Sequence, residues 1–270
     1  MKRIIFSLFT TDLEEHPSAN DYKRQQFTEW YDQIYYIQEN YAKHCGADYQ
    51  VFETSNTNYV NLQMEKILKI EELTKQYDEV LYLDFDVLPA TRINFFERWD
   101  LDNPCAYDIK TILTDNQIKT RIFYKQFAEM DMYAKACQKI SMLLLDDISG
   151  KESCINTGIL GMNKKSAKAV DFTNRLEYCY SKFEDAKKDN VYPEEICNVW
   201  EPNNEVFFSY LIERFNIPFT NIGLPWNFIL DHKVKDVGAG QIYHVVNKDF
   251  GTVIQDRESC RRILMPEQSS

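Results

Sequence analysis

In the N-terminal third of the chain, short apolar runs typical of strands alternate with longer stretches whose apolar residues have helical spacing. Three short runs predict strands, at Ile4–Phe9, Tyr49–Glu53 and Val80–Leu83. Between them, residues 22–44 and Leu62–Tyr77 carry apolar side chains at helical spacing, with charged residues opposite. The order β-α-β-α-β predicts an α/β fold with a mostly parallel sheet flanked by helices.

The rest of the chain continues this alternation less regularly. Segment 100–150 reads as irregular and then helical, and we interpret it as an insertion on the acceptor side that covers the site. Further elements are predicted as a strand at Ile155–Met162, helices near 166–183 and 203–214, a strand near Phe219 and a last strand at Gln241–Val246. No low-complexity linker or repeat interrupts them, so we expect one domain over residues 1–255 and a fraying polar tail over 256–270.

Composition and charge narrow the classes of function. The 270 residues are 44% hydrophobic and carry a formal net charge of −11, which argues against nucleic acid as the main partner. Seven scattered cysteines without a Cys-x-x-Cys pair predict reduced thiols rather than a zinc site or a disulfide framework. The apolar runs are too short for a signal sequence or a transmembrane segment, and we therefore expect a cytoplasmic protein.

The sharpest chemical signal is Asp84-Phe85-Asp86, which directly follows the apolar run Val80–Leu83. Alternate side chains of an extended segment point the same way, so both carboxylates can reach one divalent cation. Ligands of parallel α/β sheets bind beyond the carboxyl ends of the strands, where Thr10 and Thr11 also lie. The pattern favours a metal site over a pair of solvated turn aspartates.

Two classes of enzyme place Asp-x-Asp at a strand end. Glycosyltransferases use it to hold manganese or magnesium on a nucleotide diphosphate, whereas in haloacid-dehalogenase-type phosphatases the first aspartate, here Asp84, is the nucleophile. The phosphatase motif continues with Thr or Val where this chain has Leu88, and Asp146-Asp147 is a weak substitute for the later acidic motif. The phosphatase is the second hypothesis, and a non-catalytic sugar-binding module is the third.

Residues 77–86, with Lys66 about a helix upstream, resemble the segment that leads to the Asp-x-Asp of GT-A glycosyltransferases, above all the glycogenin and bacterial lipopolysaccharide galactosyltransferase group. Shorter matches follow in the same order at Ile155–Leu160, Asn203-Asn204-Glu205, Pro225-Trp226-Asn227 and Ile242-Tyr243-His244. The resemblance implies a GT-A-like fold and a metal-dependent transferase. It would move a sugar, a hexose, from a nucleotide-diphosphate sugar (UDP-sugar favoured) to a glycan or other hydroxyl acceptor, with retention of anomeric configuration.

The resemblance also implies roles for the matching residues. Asp84, Asp86 and His244 would ligate Mn²⁺ or Mg²⁺, with the histidine neutral. The nucleotide donor would be contacted by Thr10, Thr11, Lys66, Phe85 and Lys248. Lys248 departs from the family's His-x-x-Gly-x-x-Lys spacing, because the chain reads His244-Val-Val-Asn-Lys248.

The catalytic candidates are Asn156, which would hydrogen-bond the donor sugar, and Glu205, which stands where the family has an amide. A carboxylate there suits a nucleophile, an ion-pair stabiliser or a base. Ordinary readings stay open: a strand-opening turn residue for Asn156, a helix N-terminal acid for Glu205 and a solvated helix lysine for Lys66. Trp226 is the one aromatic residue assigned to the acceptor.

Overall fold

The computed structural model describes residues 1–10, 20–55, 57–110, 131–189, 192–230 and 240–254. Its strands are β1 (Arg3–Phe9), β2 (Asp48–Glu53), β3 (Glu79–Leu83), β4 (Val87–Pro89), β5 (Cys105–Lys110), β6 (Ser153–Asn163), β7 (Thr220–Asn221), β8 (Phe228–Ile229) and β9 (Ile242–His244). Six of them form a sheet in the order β2-β1-β3-β6-β5-β7, and the other three form a small sheet in the order β4-β9-β8.

The direction of the strands confirms the predicted α/β class. Strands β1, β2 and β3 are parallel to one another, as the β-α-β-α-β order requires. Strand β6 runs antiparallel to both β3 and β5, and β7 pairs with β5 in parallel. The sheet is therefore mostly parallel, with one long central strand running against the others.

The described helices are α1 (Asp21–His44), α2 (Tyr59–Leu73), α3 (Phe95–Arg98), α4 (Asp131–Leu144), α5 (Lys164–Val170), α6 (Phe172–Lys188), α7 (Glu194–Cys197), α8 (Asn204–Arg214) and α9 (Phe250–Ile254). The predicted helix over 166–183 is two helices, because Asp171 adopts a left-handed conformation with φ of 48° between them. None of these helices is both long and apolar enough to cross a membrane.

Both faces of the main sheet are buried. On β1, Ile4 and Phe6 pack into one apolar cluster while Ile5 between them packs into another, and β3 alternates in the same way. Strand β5 was not predicted, because Asp108 and Lys110 interrupt its short apolar run Cys-Ala-Tyr; pairing along β6 supplies its order instead. This burial leaves the loops beyond β1 and β3 as places for polar side chains.

Candidate metal centre

The Asp-x-Asp segment lies where the chain leaves the main sheet at β3 and enters the small sheet at β4. A fully buried side chain of α1, Gln38, holds this turn from behind by donating from Nε2 to the carbonyl oxygens of Asp84 at 3.1 Å and Val87 at 2.7 Å. Its Oε1 accepts from Ser7 Oγ at 2.6 Å and from Tyr49 at 2.7 Å. The amide of Gln38 is thus used on both sides, which fixes the backbone that carries both aspartates.

Asp84, Asp86 and His244 come together at this junction. One ligand atom from each lies within 4.8 Å of the others, and His244 Nε2 is 3.4 Å from Asp86 Oδ2 and 3.8 Å from Asp84 Oδ2. Histidine reaches the pair because β9 pairs with β4, which places His244 opposite Val87. Neighbouring ligands of a magnesium ion lie about 3 Å apart when each bond is about 2.1 Å, so a small inward shift of these atoms fits such an ion.

Gly158 of β6 makes the room for this cluster. A Cβ atom at this position would lie 2.5 Å from His244 Cε1 and 2.9 Å from Asp84 Oδ2, closer than real contacts allow. The backbone oxygen of Gly158 also accepts from Asp84 N–H at 2.7 Å. The glycine of the sequence Asn-Thr-Gly is therefore required by the close approach of two of the three candidate ligands.

Lysines surround the carboxylates. Lys66, a buried residue of α2, lies with Nζ 3.4 Å from Asp84 Oδ1, and that oxygen also accepts from Tyr82 OH at 2.5 Å. Lys248 forms an ion pair with Asp86. Burial works to raise the pKa of Asp86, but opposing interactions, of which the charge of Lys248 is the largest, hold that pKa below its usual range. Asp86 is thus kept ionised and ready to bind a cation.

A second group of polar side chains extends from His244 into the protein. His244 Nδ1 is 3.1 Å from Asn227 Oδ1, and Asn227 Nδ2 donates to Asn156 Oδ1 at 2.7 Å. Asn156 Nδ2 in turn donates to Glu205 Oε1 at 2.7 Å. The other oxygen of Glu205 accepts from Lys135 Nζ of α4 at 2.8 Å.

Glu205 is buried, and burial works to raise the pKa of its carboxyl group. The nearby charges of Lys135 and Lys66 outweigh this effect and hold the pKa of Glu205 below its usual range. Glu205 is therefore an ionised carboxylate whose oxygens are already occupied by donors. This arrangement suits a fixed negative charge better than a group that transfers a proton.

The other predicted site residues lie in different surroundings. Thr10 follows β1 directly, as expected, whereas Thr11 lies outside the described residues. The ring of Phe85 is buried and packs against Phe9 at a centroid distance of 4.7 Å. Its side chain thus has a packing role, and the nucleotide contact of Phe85 stays a prediction.

The assignment of Trp226 to the acceptor is wrong for the described conformation. The side chain is only 6% exposed, and its ring packs edge-on against Phe95 at 5.8 Å and Trp99 at 5.7 Å. An aromatic residue that stacks on a sugar needs one free face. The neighbour Asn227 is the residue of this segment that faces the centre.

Four contributors to the centre were not predicted: Gln38, Tyr82, Lys135 and Asn227. Gln38 had a usable signal, because it interrupts the apolar face of a predicted helix between Ile34 and Tyr41. A polar residue on a buried helix face needs internal partners. Lys135 had no such signal, since only the packing of α4 beside α8 brings it to Glu205.

No family model matches the chain, and neither does any curated protein. A glycosyltransferase involved in the glycosylation of the major capsid of PBCV-1 is structurally similar, with a TM-score of 0.46 and 15% identity over 90% of this chain and 93% of that one. The galactosyltransferase LgtC, in complex with donor and acceptor sugar analogs, gives a TM-score of 0.43 and 15% identity over 90% and 86% of the two chains. Mouse xyloside xylosyltransferase 1 gives 0.42 and 11% identity over 91% and 98%.

These three solved structures are glycosyltransferases, which is the resemblance expected from the sequence. At these TM-scores and identities the likeness assigns no activity to this chain. An activity has to be inferred from its own side chains.

Proposed function

We propose that the protein is a divalent-metal-dependent glycosyltransferase that uses a nucleotide-diphosphate sugar as donor. The observation that carries this proposal is the convergence of Asp84, Asp86 and His244 at the edge where a parallel sheet binds ligands. Two carboxylates and one imidazole form a ligand set that suits Mn²⁺ or Mg²⁺. When bound, such an ion supplies Lewis-acid stabilisation of the diphosphate leaving group.

The balance of charge supports a diphosphate ester as the ligand. Among the ion pairs that the described residues form here, Asp84, Asp86 and Glu205 are matched by Lys66, Lys248 and Lys135, so these six side chains are together near neutrality. A divalent cation adds two positive charges, which equal the two negative charges of the diphosphate in a nucleotide sugar. In a protein with a net charge of −11, this local balance makes donor binding depend on the cation.

Lys66 and Lys248 are the residues we propose to contact the diphosphate. Both ammonium groups lie against the aspartates that would hold the metal ion. Lys248 adopts a left-handed backbone conformation with φ of 62°, which is costly for a side chain other than glycine and is typical of functional sites. Thr10, Thr11 and the backbone of Phe85 are proposed to border the nucleotide.

Asn156 and Glu205 are proposed to serve the sugar side of the reaction. Glu205 would act as an ion-pair stabiliser of positive charge that develops at the anomeric carbon, because its carboxylate is ionised and held by Asn156 and Lys135. A hexose donor, UDP as the nucleotide, retention of configuration and a glycan or other hydroxyl acceptor complete the proposal. Six free, buried cysteines among the described residues support a reducing, cytoplasmic setting.

The experiment that tests the proposal screens UDP-, GDP- and TDP-sugars with and without Mn²⁺, using thermal shift for binding and slow donor hydrolysis for chemistry. We expect one nucleotide class to stabilise the protein only when Mn²⁺ is present, and a chelator to abolish the shift. Tight nucleotide binding by the metal-free protein would contradict the proposal. Release of phosphate from a simple ester with phosphorylation of Asp84 would favour the phosphatase, and glycan binding without donor hydrolysis would favour the sugar-binding module.

A further inference from the structure

The hydrogen bonds between Glu205 and His244 have only one possible direction. The carboxylate of Glu205 can only accept, so the atom of Asn156 that faces it at 2.7 Å must be the amide nitrogen. The backbone N–H of Gly158 can only donate, and it lies 3.1 Å from the other atom of the same amide, which must be the oxygen. Two independent neighbours thus fix the orientation of Asn156.

The orientation of Asn156 passes to Asn227. Since Asn156 presents its oxygen, the atom of Asn227 at 2.7 Å must be the nitrogen, and the oxygen of Asn227 must face His244 Nδ1 at 3.1 Å. An oxygen acceptor there requires that Nδ1 carry the proton. The neutral ring then has an unprotonated Nε2, the atom that faces both Asp84 and Asp86.

We propose that Asn227 is a positioning residue that sets His244 in the Nδ1–H tautomer and so leaves Nε2 free to bind a metal ion. Asn227 is fully buried and is held beside the histidine because β8, which it precedes, pairs with β9 and places Ile229 opposite His244. A metal-binding histidine has its ring orientation and tautomer set by the partner of its other nitrogen. The inference rests on the proposed function only for its effect on metal affinity, since the tautomer exists without metal.

The first test is ¹⁵N NMR of the metal-free protein labelled at histidine, recorded at an alkaline pH at which the imidazole rings are neutral. The chain has four histidines, so the signals of His244 are assigned by their absence in His244→Gln. We expect protonated Nδ1 and unprotonated Nε2 in the wild type. A protonated Nε2 would overturn the inference at once, whatever the behaviour of any variant.

Two variants of Asn227 distinguish the effect of its hydrogen-bond acceptor from the effect of its side-chain volume. Asn227→Asp keeps an oxygen acceptor for Nδ1–H, so we expect the same tautomer. Asn227→Leu removes it, and the proton should move to Nε2, where it can be donated to Asp86 Oδ2, now 3.4 Å away. A Leu variant that keeps the Nδ1–H signal would contradict the inference, and Asn227→Ala, judged by the same signal, replaces it if the Leu protein does not fold.

Metal affinity gives the second readout. A proton on Nε2 blocks the ligand atom, so we expect Mn²⁺ affinity measured by calorimetry to fall about 10- to 100-fold in Asn227→Leu, and less in Asn227→Asp. Asn204→Ala is the matched control, because it removes another buried amide, one that donates to Thr157 Oγ1 at 2.8 Å and not to the chain of residues ending at His244. An equal loss in the control would contradict the assigned role. If the wild-type protein shows the Nδ1–H tautomer but binds no Mn²⁺, the result would contradict the proposed function and still support the role of Asn227 in setting the tautomer of His244.

Discussion

Two clusters of charged residues lie near opposite ends of helices α4 and α8, and they differ in the charges that surround their carboxylates. At one end, Lys135 and Glu205 join the centre formed around Asp84, Asp86 and His244. At the other end, a single carboxylate, Asp146, is surrounded by donors. Its Oδ1 accepts from Lys182 at 2.7 Å, and its Oδ2 accepts from Arg214 at 2.8 Å and from Tyr210 at 2.5 Å.

The difference separates a ligand site from a structural ion pair. Around Asp146 a single carboxylate is paired with two cations, Lys182 and Arg214, and their positive charge disfavours a metal ion there. At the candidate metal centre, two carboxylates and an imidazole nitrogen face one another, and this excess of acceptors favours a cation between them. Asp146 is thus unsuited to the second acidic motif that the phosphatase hypothesis needs.

The largest effect that distinguishes the candidate metal centre from the Asp146 cluster is expected for Asp86→Asn. The substitution removes one charged ligand from the candidate metal centre. We therefore expect Mn²⁺ affinity to fall by more than about 100-fold, which exceeds the loss caused by removing a residue that only contacts a ligand. Metal-dependent nucleotide binding should disappear with it. Calorimetric titration with Mn²⁺ checks the prediction against Asp102→Asn, a surface aspartate paired with Lys165. Retained Mn²⁺ affinity in Asp86→Asn would show that the cluster is not a metal site.

The second prediction concerns the space that the centre needs. Gly158→Ala places a methyl group against His244 and Asp84, so we expect a loss of about 10- to 100-fold in Mn²⁺ affinity. Gly161→Ala is the matched control on the same strand, because its Cβ would meet the ring of Phe95 at 2.7 Å instead. Both variants should lower the melting temperature, and only the first should weaken metal binding. Equal Mn²⁺ affinity in the two variants would contradict the role given to Gly158.

The sequence was sufficient to predict the parts of the fold that depend on local pattern. Strands β1, β2 and β3 and helix α1 match their predicted bounds closely, because long apolar repeats and short apolar runs reflect burial directly. The pair Asp84 and Asp86 was found for the same reason, since it follows a buried strand. Features that depend on tertiary pairing were harder to predict, such as the small sheet that brings His244 to the aspartates.

The residues that support the metal ligands were the hardest part of the site to predict from the sequence. His244 was assigned only through a family resemblance, and Asn227 received no role although its segment was recognised. A buried amide looks the same in sequence as an exposed turn amide, and only the contacts with Asn156 and His244 distinguish them. Hydrogen bonds between residues distant in the sequence depend on tertiary packing, and the local periodicity of the sequence does not predict that packing.

The third prediction tests the Asp146 cluster. Burial works to raise the pKa of Asp146, but its bonds from Lys182 and Tyr210 hold that pKa below its usual range. The ionised form therefore stabilises the fold above the ordinary pKa of aspartate, and this contribution is lost as the pH falls through the lowered value. Asp146→Asn should lower the free energy of unfolding by about 2 kcal/mol at neutral pH.

This loss should begin to shrink below about pH 4, where the aspartate carboxyl of the unfolded chain starts to bind a proton while native Asp146 is still ionised. Urea unfolding of both proteins at several pH values measures the difference. Mn²⁺ affinity should not change, since Asp146 is no part of the metal centre. A stability difference that stays constant down to acid pH would contradict the charge-based explanation.

The smallest expected effect is that of Lys248→Met, which should change the affinities for Mn²⁺ and for the nucleotide sugar in opposite directions. It tests whether the acceptors of the candidate metal centre favour a cation. Lys248 supplies a positive charge to Asp86 in the metal-free protein, so Lys248→Met leaves that carboxylate more dependent on an added cation. We expect Mn²⁺ affinity without nucleotide to rise about 3- to 10-fold, which corresponds to about 1 kcal/mol. Affinity for the nucleotide sugar at saturating Mn²⁺ should fall by a similar factor, because the same lysine is proposed to contact the diphosphate. Lys165→Met, which removes a lysine paired with Asp102 at the surface, should change neither value. If both affinities fall together in Lys248→Met, the lysine supports the centre structurally and does not compete with the metal ion for Asp86.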